Sequence, residues 1–405
     1  MASATTIAPT TTTPDRAMTR EVIATFGLFF GSGVIGGSWF SRIPAVKDHL
    51  DADVRTVGFV LLCLGLGSLL VMPFTGLLIE RTSARAVCTA GLTGACLVYP
   101  LLPFIDNVWA FGLVLLLAGG CYGLWDVSIN VHGADVERAY GRTIMSMLHG
   151  TWSLGLIVGS GIGALLAGAD VSLKIHFPVV MLVLLAGGLF LLREWRPYRT
   201  EHTGEDAPGT DQGPHLKVLS LTLIFISLMT MCSTLGEGTA SDWMALYLHD
   251  DHGFSAGLAA SVYTVYTIAL TIGRFCGSFT IRHLGRVRAL RLSGLVSACG
   301  VLVMILSSAT PAFYVGSALW GFGLAIVFPT AVTAVGELAG RNAARAISAV
   351  ATISYGSFLA GPPLIGTVAQ ESSIGRALWI TLVLALGISV LAFTTAPRKG
   401  TIQSA

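Results

Sequence analysis

The sequence predicts an all-α membrane protein of twelve transmembrane helices, arranged as two pseudo-symmetric halves of six. Three observations carry that expectation. Of the 405 residues, 53% are hydrophobic and only 11% are charged, whereas a soluble domain carries roughly twice that charged fraction. The apolar runs reach about 20 residues and show no strand-like alternation, so helices rather than a barrel must satisfy the backbone in lipid. Short motifs of the first half also return at nearly one displacement in the second.

The runs fall at roughly 21–40, 54–79, 85–105, 108–131, 144–168, 174–192, 217–247, 256–280, 288–308, 312–335, 346–369 and 376–396. Lys and Arg set the expected orientation, because basic residues favour cytoplasmic segments. With the N-terminus in the cytoplasm, 18 of the 24 lie inside, 5 lie outside, and Arg274 lies within a span. Both termini are therefore expected to be cytoplasmic. Residues 1–20 are Thr-rich, lack an apolar core, and read as a disordered cytoplasmic tail rather than a signal peptide. Residues 397–405 form a second tail. Residues 193–216, rich in Gly, Pro and charge, read as a cytoplasmic linker between an N-terminal half, 21–192, and a C-terminal half, 217–396.

The halves repeat. Gly76–Arg85 after the second run returns from Ser278 after the eighth, Thr151–Gly155 returns from Thr352, and Trp39 returns as Trp243. The displacements are 202, 201 and 204 residues. Paired halves joined by a central loop point to a secondary transporter that rocks around a site near the midplane.

Other classes are disfavoured. A net charge of +2 without a dense basic cluster argues against nucleic acid. The seven cysteines lie in or beside apolar runs without CxxC spacing and read as packing residues, so no metal site is expected. The Gly-rich runs lack the GK[ST] of a phosphate loop and read as helix-packing surfaces, against an ATP-driven pump. No nucleophile–base pair stands out, so neither enzyme activity nor a cofactor is expected.

An acid inside an apolar span costs about 2.5–3.5 kcal/mol, and a chain that tolerates it generally uses it. Tyr122, Asp126 and Asn130 are spaced i, i+4, i+8 and share one helix face. Asp126 is the first proton-coupling candidate, with Tyr122 and Asn130 placed to bind hydroxyl or amide groups; the competing reading of Asp126 is a structural ion pair. His149 and Trp152 share a face of the fifth run. A histidine side chain titrates near neutral pH, which makes His149 a candidate to share the proton with Asp126, while Trp152 reads as a cavity wall.

In the seventh run, Ser233, Glu237 and Ser241 form a stripe, followed by Asp242 and Trp243. Gly236 and Gly238 bracket Glu237 and predict an interrupted helix. Glu237 is the further coupling candidate, Ser241 a substrate candidate, and Asp242 an outer gate. In the eighth run Tyr263 and Tyr266 are substrate candidates. Arg274 reads as a cation that snorkels or pairs with a carboxylate, ahead of an anion ligand. Tyr355 in the eleventh run is a last substrate candidate.

Gly76, Glu80, Arg81, Ser83 and Arg85 resemble the motif that follows span two in the major facilitator superfamily (MFS). Glu and Ser stand where Asp and Gly are usual, and the second copy carries Arg282 in place of the acid. A closer likeness runs through Ile129–Arg138, Met147–Gly155, Glu237–Trp243, Ile272–Phe275, Leu319–Gly323 and Phe328–Pro329, which resemble bacterial MFS proteins of the YbjJ/MosC-like kind. Asp126 with Asn130 is more distantly similar to fucose–proton symporters. Those use an acid in span one, where this chain has only Glu21 at the start, so their sugar mechanism does not transfer directly.

The resemblance implies the MFS fold, a bacterial plasma (inner) membrane location, a monomer, and alternating access. It also implies a gating role for Glu80, Arg81 and Arg85, a cluster that clamps cytoplasmic helix ends and releases them as the halves rock. Span five lacks the Gly-Pro signature of proton antiporters. The polar candidates suit a small polar solute, sugar- or cyclitol-like, moved by proton symport. Export of a polar metabolite or antibiotic by proton antiport is the alternative, and a non-transporting membrane receptor the second.

Overall fold

The structure is a computed structural model and describes residues 16–142, 144–196, 221–339 and 343–396, without the side chains of 343–345, 348 and 355. Every regular element among the described residues is helical. The N-terminal half contains α1 (Arg16–Phe40), a short α2 (Ile43–Leu50), α3 (Val54–Arg81), α4 (Ala84–Val98), α5 (Val108–Tyr140), α6 (Met145–Gly168) and α7 (Leu173–Leu192). A 3₁₀ turn, Tyr99–Phe104, extends α4. The C-terminal half contains α8 (Leu221–Asp250), α9 (Ala256–Leu284), α10 (Arg286–Leu306), α11 (Thr310–Leu324), α12 (Val327–Ala339), α13 (Ala343–Glu371) and α14 (Ile374–Leu391). With α11 and α12 counted as one crossing, there are twelve. Eleven are long and apolar enough to cross a membrane over their described residues, and α13 is a helix of 29 residues in the twelfth place. The outward side chains match that environment: Phe74, Leu165, Leu182, Phe190, Phe275 and Val390 all stand exposed.

Helix ends follow local chemistry. The Asp53 carboxylate accepts the Thr56 N–H at 2.7 Å to start α3, and that bond holds the Asp53 carboxyl below its usual range. Asn107 accepts the N–H groups of Trp109 and Ala110, both at 3.0 Å, to start α5. Gly141, at φ 67°, ends it.

Four expectations shift. Helix α1 begins at Arg16, inside the stretch read as a tail; residues 1–15 lie outside the described residues, as do 197–220 and 397–405. The interrupted helix expected at Gly236–Gly238 is not there, and α8 runs unbroken from Leu221 to Asp250. Glycine keeps its N–H and costs only about 1 kcal/mol in a helix; here it makes room, since a Cβ on Gly236 or Gly238 would meet Leu324 or Phe358 at 3.2 or 3.3 Å. The interruption lies in the tenth span, between α11 and α12. Pro329 offers no N–H, and its ring crowds the carbonyl four residues back, at Ala325, beside the break. The cysteines also divide: Cys88, Cys96 and Cys232 are buried, whereas Cys276 and Cys299 are exposed.

Within the N-terminal half the broadest contact is α1 on α6. It is a backbone-to-backbone approach. A Cβ on Gly33 would lie 2.0 Å from the Trp152 carbonyl oxygen, and one on Gly155 would lie 2.1 Å from that of Phe30. Between the halves the main contacts are α6 with α9 and α3 with α13. Replacing Gly155 by Leu is expected to destabilise the fold by about 3 kcal/mol through overpacking. Gly161→Leu, at a position with nothing within 4 Å of an added Cβ, should be tolerated. Melting temperature and monodispersity in detergent, compared for the two variants, check the contrast.

Candidate functional site

Tyr122, Asp126 and Asn130 lie along the middle of α5 on the face turned to α1 and α6. The Tyr122 hydroxyl lies 3.5 Å from the Ser32 carbonyl oxygen, and the Trp152 indole N–H donates to the Tyr122 oxygen at 3.4 Å. Three helices therefore meet at one level. One turn along α5, toward the end that carries both termini, stands Asp126. It is half-buried, and among the described residues its carboxylate has no hydrogen bond or ion pair. Asn130 folds back, its Nδ2 donating to the main-chain oxygen of Asp126 at 2.8 Å, so it is a weaker solute ligand than the stripe suggested. His149 is exposed, with its ring edge-on to Phe29 at 5.5 Å. The structure does not bring it into contact with Asp126.

Glu237 is differently placed. Arg274 of α9 donates through Nη2 to the Glu237 carboxylate at 3.1 Å. Through Nη1 it reaches Ser153 of α6, in the other half, at 3.4 Å. Ser153 in turn donates to the His149 carbonyl at 3.2 Å. A chain of polar contacts thus runs from the C-terminal acid to the N-terminal half. Sequence reasoning marked Trp152 and passed over its neighbour Ser153. Tyr263 donates to Ser241 at 3.5 Å, stacks on Tyr266 at 6.0 Å, and meets Phe40 of the other half edge-on at 6.2 Å. Tyr266 is buried against Trp320 and belongs to the core. Asp242 is 8% exposed and Trp243 is wholly buried. The side chain of Tyr355 lies outside the described residues.

At the end carrying the termini, Glu80, Arg81 and Arg85 are exposed. Arg85 donates to the Trp195 carbonyl at 3.4 Å, within its own half. Its counterpart Arg286 donates to the Thr395 carbonyl at 3.5 Å and grips Glu337 with two bonds of 2.6 and 2.8 Å. Glu21, passed over as the first residue of a span, is fully buried. It lies 3.3 Å from His132 and accepts the Arg196 main-chain N–H at 2.9 Å. His132 stacks on Trp195 at 3.6 Å. The first residues of the expected linker, 193–196, are therefore docked on the N-terminal half. A carboxylate and a histidine at the ends of apolar runs were the available signal, since neither is buried without partners.

At the opposite end the halves are joined. Lys47 pairs with Asp250 at 3.2 Å and Arg55 with Glu371, and the His249 ring faces the Asp48 carboxylate at 3.5 Å. Backbones touch as well: a Cβ on Gly257 would lie 2.5 Å from the Cα of Gly168, and one on Gly58 would lie 2.6 Å from the Pro362 carbonyl oxygen. Among the described residues, the Lys and Arg ion pairs between the halves lie at this end. Asp48 and His249 are separated by 201 residues, the displacement of the internal repeat, so the repeat could have marked them. Among the described residues, no group of three or more His, Cys, Asp and Glu could hold a metal.

Two six-helix halves, joined at one end around buried acids, define the architecture of a secondary transporter. The sequence profile of the Major Facilitator Superfamily matches residues 22–356 and again 226–404, and the chain belongs to that family. It is 34% identical over 376 residues to an uncharacterised MFS-type transporter of Yersinia pestis, covering 92% of this chain and 95% of that one. It is 25% identical to the membrane protein MosC of Rhizobium meliloti, covering 94% and 90%. A crystal structure of the nucleoside transporter NupG superposes with a TM-score of 0.73 at 15% identity, covering 94% of this chain and 98% of that one. The protein is a multi-pass membrane transporter with the twelve-helix MFS fold.

The Glu237–Arg274 contact generates a test. Glu237→Gln and Arg274→Gln should each destabilise the protein by about 1–3 kcal/mol, because each leaves a partly buried charge without its partner. The double variant should cost less than the sum. A double-mutant cycle on thermal unfolding in detergent measures the coupling.

Proposed function

We propose that this transporter carries a small polar solute by proton-coupled alternating access, with Asp126 as the group that takes and releases the proton. The observation that carries the reading is the contrast between the two acids. Asp126 is half-buried in a span without a hydrogen bond or ion pair among the described residues, whereas Glu237 is held by Arg274 at 3.1 Å. A carboxylate with no fixed counter-ion binds a proton when it is sealed from water and loses it when hydrated, which is what a coupling group must do. Glu237 and Arg274 then form the polar wall on the solute side. Tyr263 and Ser241 lie on the C-terminal face, and Tyr122 and Trp152 on the N-terminal face.

With the termini cytoplasmic in a bacterial plasma membrane, the closed end is the outer one and the conformation faces inward. Rocking about the α6–α9 and α3–α13 contacts would open the other side. The mixture of hydroxyl, amide and carboxylate groups favours a sugar- or cyclitol-like solute over a greasy one, and symport is the reading that follows from the resemblance.

Counterflow of a solute library in proteoliposomes, with and without an imposed pH gradient, tests solute and coupling together. The expected result is one polar solute class taken up faster, by at least about tenfold, when the gradient is present. Asp126→Asn should abolish that gain and leave counterflow exchange intact. Gradient-driven uptake unchanged by Asp126→Asn would falsify the assignment.

A further inference from the structure

The contacts that join the halves at the outer end contain one that depends on a proton. His249 ends α8, and its Nδ1 lies 2.7 Å from the Phe254 carbonyl oxygen. A carbonyl only accepts, so Nδ1 carries the hydrogen. In the neutral ring Nε2 is then bare, and it faces the Asp48 carboxylate of the other half at 3.5 Å. Two acceptors face each other across the seam. When the ring is protonated, Nε2 gains a hydrogen and the same geometry becomes a charge-assisted contact between α2 and α8.

The surrounding charges do not supply an alternative. On α2, Lys47 is engaged with Asp250 at 3.2 Å, and the His49 ring is directed to the Ile105 carbonyl at 3.1 Å, beside Asp106. In the turn after α8, Asp251 accepts the Gly375 N–H at 2.8 Å. His252 meets the Tyr247 hydroxyl at 2.8 Å and packs edge-on to Phe313, and burial holds it below the ordinary histidine range. Arg55 at the start of α3 pairs with Glu371. None of these groups shares the arrangement of His249, an imidazole fixed in one tautomer on one half and aimed at an acid on the other.

We propose that Asp48 and His249 form a proton-operated latch that holds the outer ends of the two halves together in acid and loosens as the outside becomes alkaline. Protons are taken up when the latch closes, so acid favours the closed form and alkali the open one. The latch acts on the conformational equilibrium and does not require Asp126 to be the coupling group.

The test uses the full-length protein in nanodiscs, with the seven native cysteines replaced and spin labels at Ser172→Cys and Ala309→Cys, on outer loops of opposite halves. Double electron–electron resonance reads the ratio of closed to open outer ends. That ratio should be about two- to fivefold higher at pH 5.5 than at pH 8.5, the range of an exposed ion pair across a histidine titration. His249→Gln should flatten the response. His249→Lys, which keeps a charge at every pH, should keep the outer end closed at both. Asp126→Asn should respond as the parent does, which separates the latch from the coupling acid. A parent ratio that does not change with pH, or a His249→Gln protein that keeps the parent response, would overturn the proposal.

Discussion

The contact on which the site depends is the one between Glu237 and Arg274. In a medium without water to solvate it, a charge must find an opposite charge or give up its ionisation. Arg274 answers Glu237 at 3.1 Å and extends to Ser153 at 3.4 Å. The pair therefore sits on the α6–α9 contact, one of the two main surfaces on which the halves meet. It compensates Glu237 in the C-terminal half, whereas Asp126 in the N-terminal half has no fixed counter-ion among the described residues. The division of labour proposed for the two carboxylates rests on that single pairing.

The halves must be stiff for such a site to work, because a small change in the tilt of one against the other has to be felt at the acids. Stiffness comes from close backbone approach. Gly33 and Gly155 let α1 and α6 touch main chain to main chain, which builds the N-terminal face from three helices in fixed register. Tyr122, Trp152 and Ser32 meet across that face at 3.4 and 3.5 Å. Contacts of this kind have few alternative arrangements, so motion is directed to the seam between the halves.

Much of this was legible in the sequence. Twelve apolar runs and a displacement near 200 residues specify two six-helix halves, because lipid permits so few alternatives. Less legible was anything that depends on which helix faces which. Glu237 and Arg274 lie 37 residues apart on neighbouring helices, and spacing alone offers Arg274 several partners. Gly236 and Gly238 looked like a break because glycine both loosens a helix and makes room beside it. Only the positions of Leu324 and Phe358 show that the second role applies. Pro329 was the stronger signal, since it removes a hydrogen bond outright. His149 shares a run length and polarity with a proton relay, yet its ring is turned to Phe29, a fact about rotation that no one-dimensional pattern holds.

Arg85 and Arg286 stand 201 residues apart, and each ties the carbonyl at the end of its own half, at Trp195 and Thr395. Each set of helices is thus fastened shut by its own stitch before the chain moves on. Both stitches lie within the halves they close, so neither half needs the other to hold its last helix in place.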